Sequence, residues 1–217
     1  MCAVFCVAVL VFASVTLLAQ NPPGGIITIN GGKTTVALSS NHKAPTRLTH
    51  EPWHGGFYSN FGSSSSPYIC NVGYTVSDGS PINTEYTPAS QFVSNKTGST
   101  SSILIAVGFV TGTNGARVSL DKDCNGVPCG TVDKTHLCAG NISKLPTFGQ
   151  SCNRAERFKC VAKLTKGQPY WVYVEAPDNS WDAWNLADTA TGTTGESTND
   201  GTWATGSGGS LGAFSVK

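Results

Sequence analysis

From about residue 68 to residue 217, apolar side chains recur at every second position rather than every 3.6, and this alternation limits the chain to strands. Ala116, Val118 and Leu120 alternate with Arg117, Ser119 and Asp121. Phe158, Cys160, Ala162 and Leu164 alternate with Arg157, Lys159 and Lys163, with Val161 as the exception. Ser102–Val110 (SILIAVGFV) is an apolar run long enough for one strand buried on both faces, and Tyr170–Glu175 is aromatic and β-branched. Turn residues separate these runs at Asn114-Gly115, Asn125-Gly126, Lys166-Gly167, Asn199-Asp200-Gly201 and Gly208-Gly209. Short strands at such intervals predict an all-β fold, an antiparallel β-sandwich of jelly-roll-like type, with less than about a tenth of it helical. Ser151–Cys160 is the best helix candidate, but its alternation fits a strand better.

The 217 residues suit one domain with a real core. Residues 1–19 form an uncharged apolar leader ending Leu17-Leu18-Ala19 before Gln20, Pro22 and Pro23, which reads as a cleaved signal peptide, with a retained membrane anchor as the alternative. Residues 20–67 are rich in Gly, Pro, Ser and Asn, with one candidate edge strand at Ile26-Ile27-Thr28-Ile29. The sandwich is expected over 68–217.

Removal of the leader takes Cys2 and Cys6 with it and leaves Cys70, Cys124, Cys129, Cys138, Cys152 and Cys160. An even set in an exported chain points to three disulfides. The intervening spacings lack the CxxC pairs of a zinc site. Net charge is +1 and only 12% of residues are charged, so no general attraction to nucleic acid or to an anionic membrane is expected.

The order of features is familiar. Ala89-Ser90-Gln91-Phe92 precedes the apolar run 102–110. Val118-Ser119-Leu120 precedes Asn125-Gly126-Val127-Pro128. Then come Tyr170-Trp171-Val172, Trp184-Asn185, Trp203 and Gly212-Ala213-Phe214-Ser215-Val216. Over about residues 68–217 this resembles the choice-of-anchor domains of exported bacterial proteins, type R in particular. The resemblance implies a secreted or cell-surface β-sandwich without an established activity, and it carries over no catalytic residue. Two departures stand out. The sequence ends at Lys217 without the family's sorting tail, and Cys129 stands where the family turn commonly has glycine. Cys124 and Cys129 flank that turn, which makes them the favoured disulfide.

Few motifs carry chemistry. His50-Glu51-Pro52-Trp53-His54 matches the zinc-protease pattern HExxH, but Pro52 removes the helix that would aim both imidazoles at one ion. Asp121, Asp123 and Asn125 with Gly126 match the first half of a calcium loop. The twelfth position is Val132 rather than a glutamate, and Asp133 comes one residue late. Calcium is the one cofactor this pattern suggests. Glu175, Asp178, Asp182 and Asp188 are the carboxylates a glycosidase would draw on, in a stretch where clustering by chance is expected. No basic aromatic stripe for nucleic acid is present.

Two functional classes follow. The first is a structural or adhesive extracellular module without catalysis, which meets other surface proteins. The second is a carbohydrate-binding module for an extracellular polysaccharide, with Trp53, Tyr58, Trp181, Trp184 and Trp203 as candidate stacking rings. Trp171, within a strand, is expected in the core, and at least one of Trp181 and Trp184 is expected at the surface.

Overall fold

The computed structural model describes residues 26–30, 33–37, 56–62, 67–130, 135–150, 152, 154–199 and 201–217. The leader, the His50–His54 motif, Trp53, Val132 and Asp133 lie outside the described residues. The strands, in chain order, are β1 (Ile26–Asn30), β2 (Lys33–Ala37), β3 (Tyr58–Ser59), β4 (Ile69–Asp78), β5 (Glu85–Val93) and β6 (Gly98–Ser99). Next come β7 (Ser102–Ile105), β8 (Val107–Gly112), β9 (Gly115–Cys124), β10 (Val127–Pro128), β11 (Cys138–Ser143) and β12 (Glu156–Lys159). The last are β13 (Lys163–Leu164), β14 (Pro169–Glu175), β15 (Ser180–Thr198), β16 (Trp203–Gly212) and β17 (Phe214–Val216). Ladders between these strands are antiparallel, as the alternation requires. No helix among the described residues is long and apolar enough to cross a membrane.

One large curled sheet has the order β10-β9-β14-β5-β15-β4-β1-β2, with β11 on β9 and both β8 and β16 on β15. A smaller sheet runs β12-β7-β17-β3, and β6 pairs with β13. The first half of β15 lies between β4 and β8, its second half between β5 and β16. Register shifts at Asn185/Leu186 and Gly192/Thr194 let this long strand bend.

The expected single strand over Ser102–Val110 is two. Ala106 interrupts it, sending β7 to the small sheet and β8 to the large one. Ala213 does the same between β16 and β17. These corners are adjacent. The Ala106 N–H donates to the Ala213 carbonyl (3.1 Å), the Ala213 N–H to the Asn185 carbonyl (2.8 Å), and the Asn185 N–H to the Ala106 carbonyl (2.9 Å).

Even-numbered residues of β9 and β14, among them Val118, Leu120, Val172 and Val174, share one core with Ile103, Ile105, Phe158 and Phe214 of the small sheet. The sandwich also begins earlier than expected. Phe57 and Phe61 are buried, and β3 pairs with β17. The Asn60 side chain imitates a strand: its Nδ2 donates to the Gly212 carbonyl (2.7 Å) and its Oδ1 accepts the Phe214 N–H (2.7 Å). The edge strand expected at Ile26–Ile29 is β1, but it pairs on both sides, so β2 is the outer one.

The six described cysteines form three disulfides, Cys70–Cys152, Cys124–Cys129 and Cys138–Cys160. Cys124–Cys129 braces the hairpin between β9 and β10, whose two turn residues both have positive φ (Asn125 +57°, Gly126 +88°). An Asn-Gly pair is the preferred occupant of such a turn. The other two bridges run from β4 and from β11 to the chain on either side of β12. Three disulfides mark a chain that folds in an oxidising compartment.

Candidate functional site

On the face of the large sheet turned away from the shared core, odd-numbered residues of β9 and β14 assemble a polar and aromatic cluster. Trp171, Tyr173 and Glu175 stand opposite Asp121, Ser119 and Arg117 in the ladder. Two further rings pack on Tyr173: Trp203 from β16, edge-on at 5.9 Å between ring centroids, and His136 from just before β11, also at 5.9 Å. Trp171 and Tyr173 are buried.

Asp121 anchors this cluster. It is fully buried; its Oδ2 accepts the Gly130 N–H (2.8 Å) and its Oδ1 lies 3.0 Å from His136 Nδ1. A carboxylate at that distance keeps the proton on Nδ1. The Tyr173 hydroxyl lies 3.1 Å from the same nitrogen, and burial, aided by the Asp121 charge, raises its pKa so that it stays neutral. Asp123 is used as fully. Its Oδ1 accepts the Trp171 indole N–H (2.7 Å) and the Gln91 amide (2.8 Å), and its Oδ2 accepts the Gly126 N–H (3.1 Å). At the far end of the face, Arg117 pairs with Glu175 at 3.3 Å. Loss of water around Glu175 raises its carboxyl above the ordinary range, and the Arg117 charge only partly offsets this. The pair borders a cleft of about 340 Å³ with Asn141 and Pro177.

The residues of the calcium half-motif are engaged within the protein. Asp121 and Asp123 do project on one face of β9, as a loop ligand pair would, but their oxygens accept protein donors. Asn125 is exposed at the hairpin tip and supplies backbone conformation. Among the described residues no three His, Cys, Asp or Glu side chains gather as a metal site. The carboxylates considered for glycoside hydrolysis are dispersed too. Asp182 is buried on the core side of β15, Glu175 pairs with Arg117, and Asp178 and Asp188 are exposed.

The candidate stacking rings separate as well. Trp184 is fully buried, its indole N–H donating to the Ala213 carbonyl (3.1 Å). Its ring lies flat against Gly212, where any Cβ would collide with the indole. Trp184 is therefore a core residue and not a binding ring. Strand parity is the reason: positions three apart on β15 fall on opposite faces. Trp181 is half-buried against Phe148 and Ala183, so the surface ring expected of this pair is Trp181. Trp203, also half-buried, belongs to a different cluster with Trp171 and Tyr173. Tyr58 is partly buried between Phe92 and Phe214, both at 5.1 Å, and burial pushes its hydroxyl pKa up to about 12.

Some consequential groups escaped the sequence reading. His136 comes from a loop with no pattern of its own. The sequence singles out Glu196 for nothing and Asp182 only as a glycosidase carboxylate; both sit on the core side of β15, and burial pushes both carboxyls up to about 8. Asp182 Oδ2 is 2.9 Å from Ser180 Oγ, which is itself 2.7 Å from the Thr113 carbonyl. A hydroxyl has one proton for two acceptors. A protonated Asp182 that donates to Ser180, while Ser180 donates to Thr113, satisfies the chain. No protein-family model matches the sequence, and neither curated proteins nor solved structures provide a match.

Proposed function

We propose that the chain is a secreted or cell-surface β-sandwich module with a structural or adhesive role and no catalytic activity. One observation supports this most: the groups that would make a site brace the protein internally. Asp123 holds Trp171, Asp121 holds His136 beside Tyr173, and the Trp184 indole is tied to Ala213. The resemblance to choice-of-anchor domains belongs to the same proposal, as does export through the leader. A panel of glycosidase and peptidase substrates tests it. No turnover is expected, and turnover abolished by His136→Ala in folded protein would overturn it.

A second reading, carbohydrate binding through rings, has one observation in its favour. Trp203 keeps part of its indole at the surface beside Tyr173 and His136. On a glycan array, binding lost with Trp203→Ala but retained in Trp181→Ala would support it.

A further inference from the structure

The stretches 94–102 and 159–168 run antiparallel along one pole of the sandwich. Ser94 exchanges backbone hydrogen bonds with Gly167 and Gln168, and the Lys166 N–H donates to Thr97 Oγ1. Gly98 and Ser99 pair with Leu164 and Lys163, Thr100 bonds Ala162, Ser101 bonds Cys160, and Ser102 faces Lys159. The short ladders thus join into one two-stranded ribbon. Its charged residues are Lys96, Lys159, Lys163 and Lys166, all exposed, and neither stretch contains an aspartate or glutamate. Lys217 adjoins it through backbone bonds to Ser101 and Ser102. Asp78, Glu85 and Asp178 lie at the opposite pole, where Asp78 faces Glu85 in the ladder and accepts the backbone N–H of Asn179. That pole also carries Arg117, paired with Glu175, so what distinguishes the ribbon is that its own two stretches hold lysines and no carboxylate.

We propose that this ribbon binds an acidic polysaccharide. Its carboxylate or sulfate groups meet the lysine ammoniums, and its hydroxyls meet Ser99, Ser101, Thr165 and Gln168, all exposed between the lysines. Lys159 and Lys163 stand about 13 Å apart along an extended backbone, a spacing for charges repeated along a polymer rather than for one compact anion. Lysine rather than arginine suits that task, since a flexible point charge follows a mobile chain where a planar fork would demand a fixed geometry. A cleft of about 510 Å³, bounded by Thr165, Gln168, Tyr170, Lys122 and the Asp123 carboxylate, opens at the ribbon's end. Single-stranded nucleic acid fits less well, because bases need exposed rings to stack on, and Phe57, the ring beneath Lys96, is buried. A lipid surface fits less well too, since the large apolar side chains exposed here are only Val93 and Val161.

This inference rests on the adhesive half of the proposal above and names its surface. The test is titration of the whole exported protein with polygalacturonate and dextran sulfate, with neutral dextran as control. Binding to both anionic polymers, none to dextran, and weakening with added salt are expected. Each exposed ion pair contributes about threefold, so Lys96→Gln/Lys159→Gln/Lys163→Gln/Lys166→Gln should bind about eightyfold more weakly and Lys159→Gln/Lys163→Gln about ninefold, with thermal unfolding unchanged. Trp203→Ala should bind as the native protein does. Absence of native binding would sink the ribbon and leave a purely structural role standing. Equal binding by the lysine variants, or loss with Trp203→Ala alone, would transfer the role to the rings. Tighter binding to anionic vesicles or to single-stranded DNA would overturn the polysaccharide as partner.

Discussion

Ala106 and Ala213 turn the same corner side by side, the first donating its N–H to the carbonyl of the second, while Asn185 bonds to both. At this point two strands leave one sheet for the other, and Asn185 also secures a third. Its side-chain amide donates to the carbonyls of Ile69 (3.0 Å) and Cys70 (2.7 Å). Asn185→Ala leaves these acceptors without that donor. A loss of about 2–3 kcal/mol in denaturant unfolding is expected. A loss under about 0.5 kcal/mol would mean that the backbone ring alone holds the corner.

Trp171 and Trp203 touch the same cluster from opposite degrees of burial. Trp171→Ala removes a fully buried indole and deprives Asp123 of a donor, for an expected cost of about 3–5 kcal/mol. Trp203→Ala, from a half-exposed position, should cost less than half as much. Equal losses in urea unfolding would show that Trp203 is as much a part of the core as Trp171.

Asp182 makes stability depend on pH. In the unfolded chain its carboxyl titrates near 3.8; folded, burial moves that to about 8. Below about pH 4 both states are protonated and the shift has no effect. Between about 4 and 8 folding must take up a proton, so stability falls as pH rises, and the loss is complete above about 8. Glu196, shifted to about 8 by burial, adds to the same decline. Asp182→Asn keeps a donor for Ser180 without the charge. It should raise stability at pH 9, leave it little changed at pH 4, and flatten the profile between. A profile as steep as the native one would mean that Asp182 is ionised in the fold.

The three disulfides close loops of 5, 22 and 82 residues in sequence separation. Loop entropy assigns them about 2, 3.4 and 4.5 kcal/mol in that order. Replacing each pair by serine should therefore lower the melting temperature least for Cys124/Cys129 and most for Cys70/Cys152. The reverse order would place the stabilisation in local geometry rather than in the unfolded chain.

Alternation exposed the strands because their two faces differ in polarity; it was silent where the physics does not. SILIAVGFV reads as one strand since Ala106 is compatible with continuing or crossing, and only the neighbouring Ala213 and Asn185 decide. Residues 56–62 look like loop because their contribution is a side-chain amide standing in for backbone, together with two phenylalanines among glycines. The Cys124–Cys129 bridge was legible from its tight Asn-Gly turn. Trp184 was not distinguishable from Trp181, because parity on β15 depends on where the strand begins. Asp121 and Asp123 announced a shared face, but not which donors would reach it, since His136 arrives from a loop and Gln91 and Trp171 from other strands.

The bridges from β4 and β11 to the chain around β12 also govern what a peptidase can accomplish. Lys144 is exposed in a turn with φ of +61° between these anchors. A cut after it yields two pieces that Cys70–Cys152 and Cys138–Cys160 still join. Such a nick leaves one covalent particle, separable only by a reductant, so the molecule outlasts a scission that would divide an unbridged sandwich.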